Sequence, residues 1–493
     1  MSAEPIPTPE SRPPRLIESA GFLASIQQQW QTREVPAPVE EGAASAAAEH
    51  RARLREALPG HTVVVAAGSA PTRVNDTAYE FRADSDFVWL TGAQLEDAVL
   101  VVHPQAGTDA TLYLPPPARP GENGFFSDPM HGELWVGPSA GLPQWQQALG
   151  IEVRPLVDLA DGLRGAAAPL GGRRIDLSLG IERSNRLDQV CSDLRRIKDD
   201  WEIDQLRIAV GHTVDGFAAV AAAIDEARAM TDRPAQRGER WLQGTFDRHA
   251  RTVGNGPGYA TIVGSGAHAP TLHWVRCDGP VHDDQLLLLD MGVESTTCYT
   301  ADVTRTLPAS GRFSRTQTMV HDLVEAAHRA GLEQVRPGHT FSDFHFAAME
   351  VIAQGLSDWG LLDVSVDEAL SPQGQQHRRW LVCGIGHHLG LDVHDCADSD
   401  WPAYHGASLQ PGMVLTVEPG LYFHAHDLAV PPELRGIGVR LEDDLLVTDD
   451  GADVLSAALP IDAAGVEDWT RQQLAPATVG PGNNWTGHAE QGS

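Results

Sequence analysis

The sequence predicts an α/β protein with two domains, and three observations carry that reading. Short apolar runs of strand character, such as HTVVVAAG (His61–Gly68) and LLLL (Leu286–Leu289), are interspersed with long helix-prone stretches. The 493 residues exceed what a single core usually supports. Hydrophobic residues make up 42% of the chain, the level of an ordinary globular protein.

Taken in order, residues 1–15 are proline-rich and read as disordered. Ser19–Leu58 carries long helix-prone stretches, including the alanine-rich AASAAAEHRARLREAL, which reads as helical. Strands are expected at His61–Gly68, Phe87–Leu90, Ala98–His103 and Thr111–Leu114, and helices near Leu142–Leu149 and Leu156–Leu163. This α/β region ends near residue 185, and a first domain is placed at 16–190. LRRIKDDWE (Leu194–Glu202) opens a helix to about Ala227, with Trp201, Leu206, Ala209, Val210, Val214 and Phe217 at amphipathic spacing. Gly254–Gly266 is glycine-rich and suits a loop beside a site. Leu286–Leu289 suits a buried strand. Ser314 with Gln317, and Thr340 with Asp343, signal the starts of helices running to Leu332 and to about Trp359. Residues 413–418 (MVLTVE) and 438–448 (GVRLEDDLLVT) read as strands. The second domain is placed at 191–465, followed by a tail over 466–493 that is polar and loose after Pro476.

Charge and cysteine usage exclude several function classes. Acidic residues outnumber basic ones by 67 to 36, a net charge of −31 that repels nucleic acid and anionic membrane surfaces. No run of eighteen apolar residues exists, so no transmembrane helix is expected. The start, MSAEPIPTPESRPPR, lacks a basic region followed by an apolar one, so a cytoplasmic location is expected. The five cysteines, Cys191, Cys277, Cys298, Cys383 and Cys396, never fall in a CxxC spacing, which argues for reduced thiols rather than disulfides or a structural zinc site.

One stretch concentrates chemistry. Gly384–Asp395, GIGHHLGLDVHD, packs three histidines and two aspartates into twelve residues. Carboxylates stand at the ends of apolar runs on both sides of it: Asp290 after LLLL, Asp302 in YTADVTRT, Glu418 after VLTV and Glu442 in GVRLEDD. A strand, a turn and a returning strand would set Asp290 beside Asp302, and period-two alternation puts Arg440 and Glu442 on one face. Like charges gathered in one place need protons or cations. Four carboxylates balance two divalent ions, and an oxygen-rich set with one imidazole suits manganese, iron, cobalt or zinc.

These segments carry a resemblance. DMGVESTTCYTADVTRTLP, GIGHHLGLDVHD, PGMVLTVEPGLY and RGIGVRLEDDLLVT, in this order, look like the metal-binding signature of the Xaa-Pro aminopeptidases, members of the pita-bread metallopeptidases. Upstream, RVNDTAYEFRADSDFVWLTG (Arg73–Gly92) is similar to the N-terminal domain of aminopeptidase P and prolidase. The resemblance implies a creatinase/aminopeptidase P-like α/β domain followed by a pita-bread catalytic domain. It implies two divalent metal ions, manganese above all, held by Asp290, Asp302, His387, Glu418 and Glu442, with Asp302 and Glu442 bridging. It further implies catalytic roles for His273, His394 and Glu418, and substrate contacts from His394, Arg440 and Tyr422. Peptides with proline second are the implied substrates, and a homodimer or homotetramer the implied assembly.

This sequence departs from the family pattern at three places: the Asp290–Asp302 interval is one residue longer than in many relatives, Cys383 stands where a histidine is common, and Val88 replaces a tryptophan beside Trp89. The first leaves the ligands intact, and the other two bear on substrate preference. The alternatives are prolidase, limited to Xaa-Pro dipeptides, and a non-catalytic or creatinase-like pita-bread domain. RGIGVRLEDD resembles the aminopeptidase form, and the retention of all five ligands argues against loss of catalysis.

Overall fold

The computed structural model describes residues 15–31, 33–105, 109–230 and 237–474. The disorder expected over 1–15, save for Arg15, and the loose stretch after Pro476 lie outside the described residues. Two compact units meet in the sequence between Leu194 and Arg195. Among the described residues no helix is long and apolar enough to cross a membrane.

The first unit is built on a mixed sheet in the order Glu152–Pro155, Ala110–Leu114, Val99–Val102, Val63–Ala66, Leu170–Gly171. Its three inner strands, ATLYL, VLVV and VVVA, are buried at every position, as strands covered on both faces must be. Two expectations are corrected here. Phe87–Leu90 is not a strand but the middle of helix Ser85–Thr91. Asp84 caps that helix by accepting the Asp86 N–H (3.1 Å), and Gly92 ends it in the left-handed region at φ 71°. A four-residue apolar run buried all round has no period to separate strand from helix, and the caps decide. Within Ser19–Leu58 the helices are Ala20–Ile26 and Ala43–Ala57, the second on the alanine-rich run read as helical. Pro36 and Pro38 fall between the two, where each removes a helix donor and holds its neighbour extended. Leu156–Leu163 forms only short turns of helix, while Leu142–Leu149 is helical as expected.

In the second unit the helix expected from Leu194 to Ala227 is interrupted. A helix over Asn185–Arg195 ends, and α1 (Asp200–Ala222) starts afresh from a reciprocal cap between Asp199 and Glu202. A short helix over Ile224–Ala229 follows it, and α2 spans Gly238–Val253. The glycine-rich stretch Gly254–Gly266 is not all loop, because it contains β1 (Ile262–Ser265). β1 pairs antiparallel with β2 (Leu286–Met291), which pairs antiparallel with β3 (Val303–Pro308). Helices α3 (Arg315–Leu332) and α4 (Phe341–Asp358) begin at the predicted Ser314 and Thr340 capping boxes.

β4 (Val414–Val417) pairs with β7 (Asp443–Val447), and β5 (Gly420–Phe423) with β6 (Ile437–Arg440). The single strand expected over 438–448 is therefore two strands, broken at Leu441 and Glu442. Glu442 is held instead by a bridge to Thr304 on β3, which joins the two sets of strands. The C-terminal α5 (Ala463–Leu474) was expected as tail from 466, yet Val466, Trp469 and Leu474 pack into the core. β2 is central: Leu286 and Leu288 enter one hydrophobic cluster, Leu287, Leu289 and Met291 the other.

Candidate metal centre

β2 and β3 deliver the first pair of carboxylates. Asp290 lies opposite Thr304 in the antiparallel register, and Asp302 immediately precedes β3. The chain between them turns so tightly that a Cβ on Gly292 would lie 1.7 Å from the Ala301 carbonyl oxygen. Only glycine permits that approach. Glu418 follows β4, and its N–H donates to the Ile385 carbonyl (2.9 Å). His387 is placed by its own strand-like pairing, accepting the Thr416 N–H on its carbonyl (2.9 Å) and donating its N–H to the Thr416 hydroxyl (3.1 Å). Gly386 makes this possible, since a Cβ there would come within 2.2 Å of the Thr416 carbonyl oxygen. Glu442 donates its N–H to the Thr304 carbonyl (3.1 Å) and accepts the Thr304 hydroxyl on Oε2 (2.7 Å).

All nine residues singled out from the sequence line one cavity of about 850 Å³: His273, Asp290, Asp302, His387, His394, Glu418, Tyr422, Arg440 and Glu442. Cys383 lines it as well. His387 points Nε2 between two carboxylates, 3.3 Å from Asp302 and 3.6 Å from Glu418. Its Nδ1 faces the His388 carbonyl at 3.1 Å, which fixes the tautomer that leaves Nε2 free. His388 itself turns away from the cavity, and burial pushes its ring down to about 3. The rings of His387 and His394 meet edge to face at 4.4 Å. Arg440 commits one nitrogen each to Asp290, Thr304 and Tyr422.

The electrostatics fit cations. Burial, opposed by His387 and Arg440, raises Glu418 to about 7. Burial and the charge of Asp302 push Glu442 well above the carboxylate range. Asp290 is raised by burial, against the pull of Arg440. Burial alone would depress His387, yet Asp302 and Glu418 together lift it to about 9. Tyr259 sharpens the point: its hydroxyl lies 2.6 Å from both Asp290 and Asp302, and its single proton can satisfy only one of them. Divalent ions among these groups would favour ionised carboxylates and displace the imidazole proton. Asp302, His387 and Glu442 already offer ligand atoms within 4.8 Å of one another.

Several supporting residues escaped the sequence reading. Tyr259 sits in the glycine-rich stretch flagged beside a site, so a polar aromatic there was the available signal. Thr304 and Thr416, which orient Glu442 and His387, look like ordinary strand threonines. Asp444 is fully buried and accepts the Asp302 N–H (3.0 Å), but reads in sequence as one acid in a run.

The fold and the donor set together define a metallopeptidase with a pita-bread catalytic domain. The model of metallopeptidase family M24 matches residues 204–449, and that of the aminopeptidase P N-terminal domain matches residues 47–171. The chain is 46% identical over 457 residues to Xaa-Pro aminopeptidase 1 of Streptomyces coelicolor, covering 90% of this chain and 91% of that one. Aminopeptidase P from E. coli in its low-pH form superposes with a TM-score of 0.77 at 26% identity, over 89% of this chain and all (100%) of that one. Aminopeptidase PepP of Pseudomonas aeruginosa gives 0.76 at 28% identity, over 89% of this chain and 99% of that one. The chain belongs to metallopeptidase family M24, within its aminopeptidase P group.

Proposed function

We propose that the protein is a metal-dependent aminopeptidase that releases the N-terminal residue from peptides with proline at the second position. The observation that carries this reading is the convergence of Asp290, Asp302, His387, Glu418 and Glu442 on one cavity in a chain 46% identical to a Xaa-Pro aminopeptidase. These five residues would hold two divalent ions. Such ions supply Lewis acidity and lower the pKa of water. The oxygen-rich ligand set suits manganese, the ion proposed here.

Around that centre the chain's own groups divide the work. Glu418 takes the proton of the attacking water and returns it to the leaving nitrogen. His273 and His394 donate hydrogen bonds to the oxygen that becomes charged. His394 also borders the proline, together with Tyr422. Arg440 contributes chiefly by holding Asp290 and the Tyr422 hydroxyl in place. The nitrogen of an Xaa-Pro bond carries no N–H, so a site shaped for the pyrrolidine ring turns that lack into a selection rule.

Comparing hydrolysis of Xaa-Pro dipeptides with Xaa-Pro-Xaa tripeptides tests the reading. Tripeptide cleavage after the first residue is expected. Activity confined to the dipeptide would make the protein a prolidase.

A further inference from the structure

The loop that carries His273 is tied down by a buried carboxylate remote from the metal ligands. Glu239, in the first turn of α2, is fully buried. Its Oε1 accepts the Ser265 N–H (2.8 Å) and faces Nδ1 of His268 (2.8 Å). Its Oε2 accepts the Trp274 indole N–H (2.9 Å) and the Gly279 N–H (2.5 Å). Its own N–H donates to the Gly279 carbonyl (3.2 Å).

Two of those donors are the backbone at either end of the segment 265–279, and two are side chains within it. The segment leaves from β1, whose Ile262 pairs with the ligand-bearing Asp290, so its near end is fixed to the metal strands. Trp274 stacks on His268 with ring centroids 3.9 Å apart, and the Arg276 guanidinium lies 4.2 Å from the indole centroid. His273 is the residue before this anchored tryptophan, exposed and lining the cavity. A carboxylate has lone pairs for all four donors, whereas a carboxamide would turn an N–H₂ toward two of them.

We propose that Glu239 is a positioning residue: by clamping both ends of the 265–279 segment and Trp274, it sets His273 at the distance the reacting carbonyl requires. The inference rests on the role given to His273 above. A double-mutant cycle tests it, with kcat and KM measured on an Xaa-Pro-Xaa tripeptide in the full chain loaded with manganese. Glu239→Gln should lower kcat about 10- to 100-fold, the scale of a displacement near 1 Å. KM should move less than about threefold, since the loss falls on the transition state.

In a His273→Ala background, Glu239→Gln should cost nothing further, because the group it positions is gone. Trp274→Phe keeps the carboxylate and removes one donor, so it should show the same coupling at smaller amplitude, and it decides the matter if Glu239→Gln does not fold. Equal factors in both backgrounds would overturn the proposal, as would kcat near wild type in both variants. Wild-type activity in His273→Ala alone would remove the role of His273 itself and the positioning role with it.

Discussion

Tyr259 is the residue on which the electrostatic argument turns. One hydroxyl proton between two aspartate oxygens cannot satisfy both, and a cation resolves the conflict. Tyr259→Phe should therefore bind metal about 10- to 100-fold more weakly, the usual loss for an outer partner of a ligand, with isothermal titration as the check. Unchanged affinity would mean the hydroxyl is packing. Glu442→Ala removes a proposed ligand that Thr304 holds from both backbone and side chain. Turnover should fall by more than about 100-fold, with less metal bound and the melting temperature nearly unchanged, and near-normal activity would contradict the ligand assignment. At this scale Asp290 and Glu418 were legible because each ends an apolar run, whereas Asp302 and Glu442 stood out through the signature segments in which they lie. His387 was separable from its neighbour His388 only by resemblance, and the structure supplies the reason: His388 lends its carbonyl to His387 while its ring is buried away from the cavity.

Among elements, β2 does the most to assemble the centre. It carries Asp290, pairs with β1 and β3, and feeds two hydrophobic clusters from opposite faces. Leu287→Ala and Leu288→Ala should each cost about 2–5 kcal/mol by denaturant unfolding, although they face opposite ways. A large difference between the two would mean that one face is less well packed than its burial implies. Elements with a clear stop or start signal were readable: α3 and α4 begin at their capping boxes, and Leu142–Leu149 ends where expected. The failures share a physical cause. Phe87–Leu90, buried on every side, shows no period, and caps flanking it set its helix. The 438–448 run reads as one strand because its alternation continues, but pairing with two different partners breaks it at Leu441 and Glu442. β1 was hidden by the glycines around it, and Gly264 within it serves close approach to Ala269 rather than a loop.

For the whole molecule, pH enters through a buried group that does not line the candidate site. His321 on α3 is fully buried, and among the described residues neither of its ring nitrogens has a hydrogen-bond partner. Burial, then the charge of Arg305, pushes it from 6.5 down to about 4. Between those values the unfolded chain holds a proton that the folded chain does not. Stability is therefore full above pH 6.5 and is lost as pH falls toward 4, by up to about 3 kcal/mol from this one group. His321→Leu should flatten the fall in melting temperature between about pH 7 and about pH 5, and an unchanged profile would contradict the assignment. The C-terminal α5 was not legible in the sequence, because its apolar residues are few and find their partners only in the second unit's core. The central claim concerns metal-dependent cleavage, and one titration reaches it most directly: tripeptide hydrolysis by the stripped protein against added manganese. Activity should be absent without metal and reach its maximum near two ions per chain, as four carboxylates and one imidazole require. Full hydrolysis by the stripped protein, or none after two equivalents, would contradict it.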